Sequence, residues 1–518
     1  MLEKINIEPL PNELPSDFAD RCGQQYSEKV TQEYKKVNGQ FFTPLPIARL
    51  MAGYAERTEK KINILDPGVG AGVLICAITE QLVVNTCIEE LCIACYETDK
   101  NLINVVTNVF TYLQNWVQAN GKKFIFNIFN DDFILSNSLT LNGSCGEKFD
   151  LIITNPPFFK IPKEDIRTKA ASEFVSGHAN IYALFIGISL TLLKNKGQII
   201  FISPRSFASG NYFKAFRSKL FSLVQVKNIH LFDSRTDTFD RDKVLQELVI
   251  ISATKEKINP EKKVNISSSD GLHDIKTPFV NSLPLHDIIE IHSKEKILHL
   301  PVNKTEINIL EITEGWNNKL TDFNIHISTG PVVSFRANGY IKSNINDADN
   351  CVPLYWLHNV TKMKIEWPKV YKEKGQYIVE NEYSRNLLIK NKNYIFLRRF
   401  STKDDKSRLI AAPYYYENNF NFIGVENKLN YIYKINENFE KNEMLGLCAL
   451  LNSEFYDIYF QTFNGNVNVS ATELREMKFP PMEIIKKIGI EIMLNYDLSL
   501  ASLNSIVNQY LELENILV

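Results

Sequence analysis

The sequence predicts an α/β fold with a mixed, mostly parallel sheet, because short buried strands alternate with helical segments and end in polar residues. Apolar residues 62–65 run into a glycine-rich turn at 66–72, and a mostly apolar stretch of helical length follows at 73–84. Two more apolar runs, 91–96 and 124–129, each end in acidic residues. Ligands of parallel sheets bind at the carboxyl ends of the strands, so these polar residues are expected to share one edge.

The glycine-rich turn predicts close approach of a ligand to the backbone. It starts at Asp66 and contains Gly68, Gly70 and Gly72. The spacing is G-x-G-x-G and not G-x-G-x-x-G, which argues against a dinucleotide fingerprint. Glycine has no Cβ and so lets a ligand lie against the main chain. Alone, such a turn is weak evidence for any particular cofactor.

The residues after the next two strands predict a nucleoside. Glu97 follows the run 91–96, where an acidic residue can accept hydrogen bonds from ribose hydroxyls. Asp132 follows the run 124–129 and offers a carboxylate to an adenine amino group, while the ring of Phe133 can cover the base. Taken singly, a solvated turn carboxylate is the commoner explanation for each acidic residue. Together the three strand ends favour an adenosyl cofactor.

The fourth strand end indicates the chemistry. The apolar run 151–154 is followed by Asn155, Pro156, Pro157 and Phe158. An amino group on an aromatic ring is a poor nucleophile because its lone pair is delocalised. The side-chain oxygen of Asn155 and the carbonyl of Pro156 can accept hydrogen bonds from both amine N–H groups, and the two prolines hold these acceptors rigidly. Phe158 offers a face on which an extracted base can stack. The motif therefore favours methyl transfer to an exocyclic amine, although a strand that simply ends in a Pro-Pro turn shows the same pattern.

In this order the motifs resemble those of the γ-class DNA adenine-N6 methyltransferases, of the TaqI-type and PstI/BsuBI-like Type II modification methylases. Motifs X, I, II, III and IV correspond to residues 39–44, 66–72, 97, 132–133 and 155–158. The resemblance implies a Rossmann-like class I methyltransferase fold, S-adenosyl-L-methionine as cofactor and a flipped adenine of double-stranded DNA as acceptor. It implies a cofactor site of Phe41, Thr43, Asp66, Gly68, Gly70, Gly72, Glu97, Asp132 and Phe133, and a catalytic group of Asn155, Pro156, Pro157 and Phe158.

The resemblance continues further along the chain. Residues 180–185 and 192–204 are similar to motifs V and VI, and residues 241–247 are similar to motif VIII. By that match Phe239 is implied as a second aromatic residue that sandwiches the extruded base with Phe158. The resemblance implies direct transfer in one displacement, and we expect no metal in the site.

The composition of the sequence and the positions of its motifs predict four segments. Residues 1–38 are expected to form a polar N-terminal arm, and residues 39–255, which hold the motifs, the catalytic domain. Residues 256–300 are charged and serine-rich, which is typical of a linker or an exposed excursion. Residues 301–518 are expected to form an α+β target-recognition domain, because short segments there are similar to the closing parts of related methylases.

The charge of the second half predicts contact with DNA. The net charge of the whole chain is −2, but residues 351–410 hold 13 Lys or Arg against 6 Asp or Glu. Phosphate attraction depends on such a local excess and not on the total. A solvated face is the usual explanation for a charge run without other evidence. Here the candidates for phosphate or guanine contacts are Arg398, Arg399, Lys403, Lys406 and Arg408.

Several expectations concern the setting. The sequence shows no signal peptide and no apolar stretch long enough for a membrane span, so we expect a cytoplasmic protein with reduced cysteines. A monomer is expected, and a separately encoded restriction endonuclease remains open as a partner. Two other acceptors remain open: a glutamine side chain of a protein, whose amide nitrogen is equally delocalised, and an adenine of RNA.

Overall fold

The computed structural model describes residues 7–142, 148–175, 177–232, 247–344, 350–372, 374–401, 407–416, 419–465, 468–495 and 498–513. The chain divides into two compact units, Met1–Val302 and Asn303–Val518. In the described parts of the chain, none of the helices is both long and apolar enough to cross a membrane.

The first unit alternates helices and strands around one large sheet. Its helices are α1 Pro15–Lys29, α2 Gln32–Asn38, α3 Leu45–Gly53, α4 Val73–Val83, α5 Lys100–Ala119, α6 Phe133–Asn137, α7 Ile166–Ala170, α8 Ile181–Leu192, α9 Lys214–Leu223 and α10 Leu285–Ile288. Its strands are β1 Lys61–Asp66, β2 Glu90–Tyr96, β3 Lys123–Phe129, β4 Phe149–Thr154, β5 Lys160–Ile161, β6 Ala179–Asn180, β7 Leu193–Pro204, β8 Gln225–Phe232, β9 Leu248–Thr254, β10 Lys263–Ser269 and β11 Phe279–Pro284.

The sheet confirms the predicted mixed, mostly parallel architecture. Its nine strands lie in the order β11-β10-β8-β9-β7-β4-β1-β2-β3. The run from β7 through β4 and β1 to β3 is parallel, whereas β9 pairs antiparallel with both β7 and β8. The strand order reverses between β1 and β4, because β2 and β3 extend from one side of β1 and β4 and β7 from the other. A crevice at such a switch point is where open α/β sheets bind ligands.

The central strands are continuous apolar runs because helices cover both faces of the sheet. In β1, Ile62, Ile64 and Leu65 are fully buried, and in β4 the residues Ile152 and Ile153 are fully buried as well. Burial on both faces fixes these strands in the interior. Their carboxyl ends therefore present the turns that follow them at a defined edge.

The N-terminal segment differs from the predicted polar arm. Residues 15–38 form α1 and α2, and α1 packs against α4 and α5. Phe18, Cys22 and Tyr26 belong to the same core as the central strands. Their spacing of four residues puts them on one face of α1, so a helix that is polar on average still buries a stripe.

The serine-rich segment at 256–300 also differs from the prediction, because it is neither a linker nor an excursion. It contributes β10 and β11 to the sheet, with β10 parallel to β8. Val264 and Ile266 are buried at alternate positions of β10, which is the period of a strand. Serines of this strand, Ser267 and Ser269, hydrogen bond the two ring nitrogens of buried His230 at 2.8 and 3.0 Å.

The second unit has an α+β arrangement. Its strands are β12 Ile325–Thr329, β13 Ile341–Lys342, β14 Cys351–Tyr355, β15 Val360–Thr361, β16 Lys364–Ile365, β17 Tyr377–Val379, β18 Leu388–Lys390, β19 Tyr394–Arg398, β20 Ala411–Tyr414, β21 Phe422–Val425 and β22 Leu429–Lys434. Its helices are α11 Lys304–Glu314, α12 Lys441–Asn452, α13 Glu454–Gln461, α14 Ala471–Glu476, α15 Met482–Leu494 and α16 Leu500–Tyr510.

Two small sheets form the body of this unit. One has the order β12-β22-β19-β20 and the other β13-β17-β14-β21-β18. An aromatic core that includes Tyr355, Tyr394, Phe396 and Tyr414 lies between strands of the two sheets. Helices α12 and α15 make the most extensive helix pair of the unit.

Candidate active site

A cavity opens at the carboxyl ends of β1, β2, β3 and β4, at the switch point of the sheet. The structure brings eight of the residues singled out in the sequence to its wall: Phe41, Gly68, Gly70, Glu97, Asp132, Phe133, Asn155 and Pro157. Gln40 and Phe185, from the segments that resemble motifs X and V, also line the cavity, as do Tyr96 and Arg167. The four strand ends therefore meet around one space, as parallel strands require.

Glu97 links the end of β2 to the glycine-rich turn. Its Oε2 accepts a hydrogen bond of 3.1 Å from the Gly70 N–H, and its Oε1 accepts one of 2.9 Å from the Asp99 N–H. Burial raises the pKa of Glu97 to about 7. A carboxylate has about four lone-pair positions, so both oxygens keep capacity to accept from hydroxyls of a ligand.

Asp66 lies beneath the turn and not in the cavity wall. It is fully buried, and its Oδ1 accepts a hydrogen bond of 3.1 Å from the Gly68 N–H. Its Oδ2 has no hydrogen-bond partner among the described residues. Burial, and then the nearby carboxylate of Glu97, raise the pKa of Asp66 to about 7. Its contact with Gly68 supports the shape of the turn.

The glycines of the turn have different roles. Gly70 lines the cavity with φ of +54°. Gly72, with φ of +89°, is the residue before α4, and a Cβ there would lie 2.8 Å from the ring of Phe110. Gly72 is not one of the described residues in the cavity wall, so its missing side chain serves the packing of the turn against α5.

Asp132 and Phe133 begin α6 at the end of β3. The Oδ1 of Asp132 accepts a hydrogen bond of 3.0 Å from the Leu135 N–H and caps the helix. Its Oδ2 lies 3.9 Å from Nη1 of Arg167, which also lines the cavity. The ring of Phe133 is 1 % exposed and packs 5.2 Å from Tyr96, so it forms a wall of the cavity and is largely covered by neighbouring rings.

Asn155 is held by the segment that resembles motif X. Its Nδ2 donates hydrogen bonds to the Phe41 carbonyl at 3.2 Å and to Thr43 Oγ1 at 2.9 Å. A carbonyl can only accept, so the amide NH₂ must face Phe41 and Thr43. The Oδ1 atom therefore points away from these two partners as an acceptor. Thr43, expected to contact the cofactor, is 5 % exposed and instead binds Asn155.

The rest of the Asn-Pro-Pro-Phe turn surrounds this amide. Pro156 is buried and Pro157 lines the cavity. The ring of Phe158 is half-buried and makes an edge contact with Tyr182, with 6.0 Å between the ring centroids. Phe158 is not one of the described residues in the cavity wall. Phe239 lies outside the described residues.

Asp99, a buried acceptor that the sequence did not single out, organises one side of the cavity. Its carboxylate accepts hydrogen bonds from the hydroxyls of Tyr26 and Tyr34 and, at 2.7 Å, from the Gln40 side chain. Although burial acts to raise it, hydrogen bonds from Tyr26 and Gln40 lower the pKa of Asp99. The signal in the sequence is an aspartate two residues after Glu97 that also caps α5.

The three described arginines of the second unit that were predicted to contact DNA have partners within the protein. Arg398 Nε donates to the Val360 carbonyl at 2.7 Å, and Arg399 Nη1 donates to the Asn427 carbonyl at 2.7 Å. Arg408 Nη1 donates to Ser401 Oγ at 3.0 Å. All three are half-buried. Lys403 and Lys406 lie outside the described residues.

A cavity at the sheet switch point with two carboxylates, aromatic walls and an Asn-Pro-Pro-Phe turn is typical of the class of S-adenosylmethionine-dependent methyltransferases. Similar proteins identify a family within this class. The family model described as Eco57I restriction-modification methylase matches residues 78–239.

Two relatives match nearly the whole chain. The Type II methyltransferase M.BsuBI of Bacillus subtilis is 32% identical over 469 residues, which is 89% of this chain and 91% of that protein. The Type II methyltransferase M.PstI of Providencia stuartii is 30% identical over 507 residues, which is 96% of this chain and 97% of that protein. The chain belongs to the Type II methyltransferases of restriction-modification systems. It is a site-specific DNA methyltransferase that uses S-adenosylmethionine.

Proposed function

We propose that the enzyme methylates N6 of adenine in double-stranded DNA. The observation that carries this proposal is the orientation of Asn155, whose NH₂ is bound by the Phe41 carbonyl and Thr43 Oγ1. Only its Oδ1 is then available to an amine of the substrate. An acceptor at this place suits a primary amine on an aromatic ring, because such an amine has two N–H donors and a lone pair that is delocalised into the ring.

The residues of the cavity fit the cofactor. Glu97 would accept from the ribose hydroxyls with lone pairs that Gly70 and Asp99 leave over, and Asp132 would accept from the adenine amino group. The backbone of Gly68 and Gly70 lines the space between these carboxylates without side chains. When bound, S-adenosylmethionine supplies a methyl group on a positively charged sulfur.

The protein prepares the amine for attack. Asn155 Oδ1 and the Pro156 carbonyl would each accept a hydrogen bond from one N–H of N6, which draws the nitrogen toward tetrahedral geometry and localises its lone pair. Such acceptors stabilise the positive charge that develops on nitrogen as its bond to the methyl carbon forms and the bond from that carbon to sulfur breaks, and they need no reorganisation. The methylated nitrogen would then lose one proton to solvent. The ring of Phe158 would stack on the adenine, which must leave the duplex to reach these groups.

Two further expectations belong to this proposal. The endonuclease that would complete a restriction-modification system is a separate protein, and the methyltransferase acts as a monomer that methylates the two strands in successive events. Cytoplasmic location remains a prediction from the sequence.

Analysis of the reaction product tests the proposal. The enzyme is incubated with labelled S-adenosylmethionine and DNA, RNA or a protein extract, and the DNA is digested to nucleosides and analysed by mass spectrometry. We expect label in N6-methyladenine from duplex DNA. Label in a methylated cytosine, in RNA or in protein would contradict it. Replacing the target adenine by 2-aminopurine, whose fluorescence rises when it leaves the stack, tests the flipping step.

A further inference from the structure

Aromatic rings and lysines lie together on one surface of the second unit. This surface does not include the arginines that were predicted to contact DNA. Tyr371 stacks on His358 with 4.6 Å between ring centroids and 27° between planes. His358 in turn stacks on the buried ring of Trp356 at 6.4 Å and 15°. Tyr371 is 44% exposed, so the stack runs from the core of the unit to its surface.

Three lysines surround this stack. Lys374 Nζ lies 4.3 Å from the ring centroid of Trp356, and Lys372 Nζ lies 5.4 Å from that of Tyr371. Lys369 lies in the same loop, two residues before Tyr371. Burial, and then the charges of Lys374 and Lys369, lower the pKa of His358. We call Trp356, His358, Tyr371, Lys369, Lys372 and Lys374 the aromatic–lysine surface.

Acidic residues neutralise only part of this charge. Glu366 pairs with both Lys369 at 2.6 Å and Lys364 at 2.8 Å, so one carboxylate serves two cations. The buried Glu426 lies 3.6 Å from Lys374. From residue 362 to 374 the sequence holds five lysines against two glutamates, and with Glu426 counted the local excess is 5 − 3 = +2.

The loop that carries the lysines is fastened to the core. Trp356 Nε1 donates to the Gly375 carbonyl at 2.8 Å, and the Lys369 N–H donates to Gln376 Oε1 at 3.0 Å. Asn359 Nδ2 donates to the Glu366 carbonyl at 2.7 Å. A surface held in this way is ordered before a partner arrives, which lowers the entropy lost on binding.

The composition of the surface identifies its partner. Lysine is depleted in protein–protein interfaces relative to the rest of the surface, whereas positive charge that exceeds its acidic partners attracts phosphate. Most protein–DNA hydrogen bonds go to phosphate and sugar and fix the position of the protein on the duplex. Exposed aromatic rings flanked by cations suit this role, because the ring packs on the sugar while the cations reach the phosphates.

We propose that the aromatic–lysine surface binds the sugar–phosphate backbone of the DNA substrate, with Lys372 on a phosphate and the exposed edge of Tyr371 against the sugar. This inference rests on DNA as the substrate of the proposed function, but it does not depend on which base is methylated. It assigns backbone contact to this surface. The half-buried Arg398, Arg399 and Arg408 then serve to shape neighbouring loops.

A charge reversal tests the surface. The double variant Tyr371→Ala/Lys372→Glu is compared with Lys487→Glu, which reverses an exposed lysine on α15. Fluorescence anisotropy measures the Kd for a cognate and a scrambled duplex over a range of salt concentrations. We expect the double variant to bind both duplexes roughly tenfold more weakly, with a salt slope smaller by about 0.9 for each phosphate that the protein no longer neutralises. The Lys487→Glu variant keeps the wild-type Kd and slope.

Cofactor affinity and kcat at saturating DNA should be unchanged in the double variant, because the surface positions DNA and takes no part in chemistry. Wild-type affinity and salt slope in the double variant would overturn the inference. A measurement on the wild type guards against misfolding: acetylation of Lys372 by an amine-specific reagent should slow when duplex is added, whereas Lys487 should react equally. Equal labelling of Lys372 with and without DNA would overturn it as well. Failure of the N6 assignment would appear only in the product nucleoside, so the two outcomes are distinguishable.

Discussion

The Nδ2 atom of Asn155 donates a hydrogen bond of 2.9 Å to the hydroxyl of Thr43, which lies 112 residues earlier in the chain. Thr43 is buried and not part of the described cavity wall, so it acts on substrate only through Asn155. With the Phe41 carbonyl it fixes the rotation of the amide. The segment that resembles motif X therefore orients the catalytic acceptor, in addition to lining the cavity with Phe41.

Replacing Thr43 by valine keeps the shape of the side chain and removes the hydrogen bond to Asn155. Loss of one such bond weakens the orientation of Asn155 by about 1 kcal/mol, so we expect kcat to fall several-fold, with an unchanged Kd for S-adenosylhomocysteine. Single-turnover methylation and calorimetry measure the two quantities. The matched control is Thr79→Val in α4, where the buried Oγ1 has no hydrogen-bond partner among the described residues. A weaker affinity for S-adenosylhomocysteine with an unchanged kcat would show that Thr43 contacts the cofactor and does not orient Asn155.

Asn155→Ala removes the acceptor itself. Removal of one preorganised group that stabilises developing charge costs about 100-fold or more in rate, so kcat should fall at least that far. Binding of S-adenosylhomocysteine and of duplex DNA should persist. The substitution changes neither the second unit nor Glu97 and Asp132, the carboxylates proposed to bind the cofactor. A variant that keeps its rate of methylation would exclude Asn155 from the chemistry.

The sequence was sufficient to locate the strand ends because buried parallel strands are continuous apolar runs, and the residues after them stand out. It was not sufficient to identify α1, because Phe18, Cys22 and Tyr26 are a minority in a polar helix and are recognised only once α4 and α5 supply the surface they pack on. The serines of β10 led to the wrong prediction of a linker, because the strands that β10 pairs with come from other parts of the chain.

The direction of a side chain is the part that local sequence does not contain. Arg398 and Arg399 were predicted to contact DNA on charge alone, and this stays a prediction. The structure adds that their guanidinium groups donate to the carbonyls of Val360 and Asn427. Those partners lie 38 and 28 residues away along the chain, so a local sequence motif does not predict them. Thr43 shows the same limit within the active site.

Glu97 should make cofactor affinity depend on pH. Its pKa is raised to about 7 by burial, so it is protonated below that pH and gives up part of its capacity to accept from ribose hydroxyls. The affinity of the wild type for S-adenosylhomocysteine should therefore rise as pH increases through 7. Glu97→Gln should bind roughly tenfold more weakly at high pH, since hydrogen bonds to charged groups contribute about 1.5–3 kcal/mol, and the difference should narrow in acid. Calorimetry at several pH values measures it, with the exposed Glu89→Gln as control. A difference that does not vary with pH would contradict the role of the carboxylate.

Asp66 should make the stability of the fold depend on pH between about 4 and 7. An ordinary aspartate ionises near pH 4, whereas burial raises the pKa of Asp66 to about 7. Between these values the unfolded chain has lost the proton and the folded chain still holds it, so the free energy of unfolding falls as pH rises. Above 7 the cost of the buried charge is complete. Asp66→Asn has no charge to bury, so its melting temperature relative to wild type should be higher at about pH 8.5 than at about pH 5. Equal differences at both values would show that Asp66 ionises normally.

Two glycines determine how closely α12 and α15 pack in the second unit. A Cβ at Gly446 would collide with the carbonyl oxygen of Ile485, and one at Gly489 would collide with that of Asn442. Both obstacles are backbone atoms, which cannot move away without separating the helices. Gly446→Ala should therefore lower the free energy of unfolding by about 1–3 kcal/mol, the usual cost of overpacking, even though alanine is the better helix former. Gly53→Ala is the matched control: Gly53 ends α3 with open space around the added methyl, so this change should be neutral or stabilising. Urea unfolding of the three proteins measures the effect, and a stabilised Gly446→Ala variant would show that the two helices do not depend on close backbone contact.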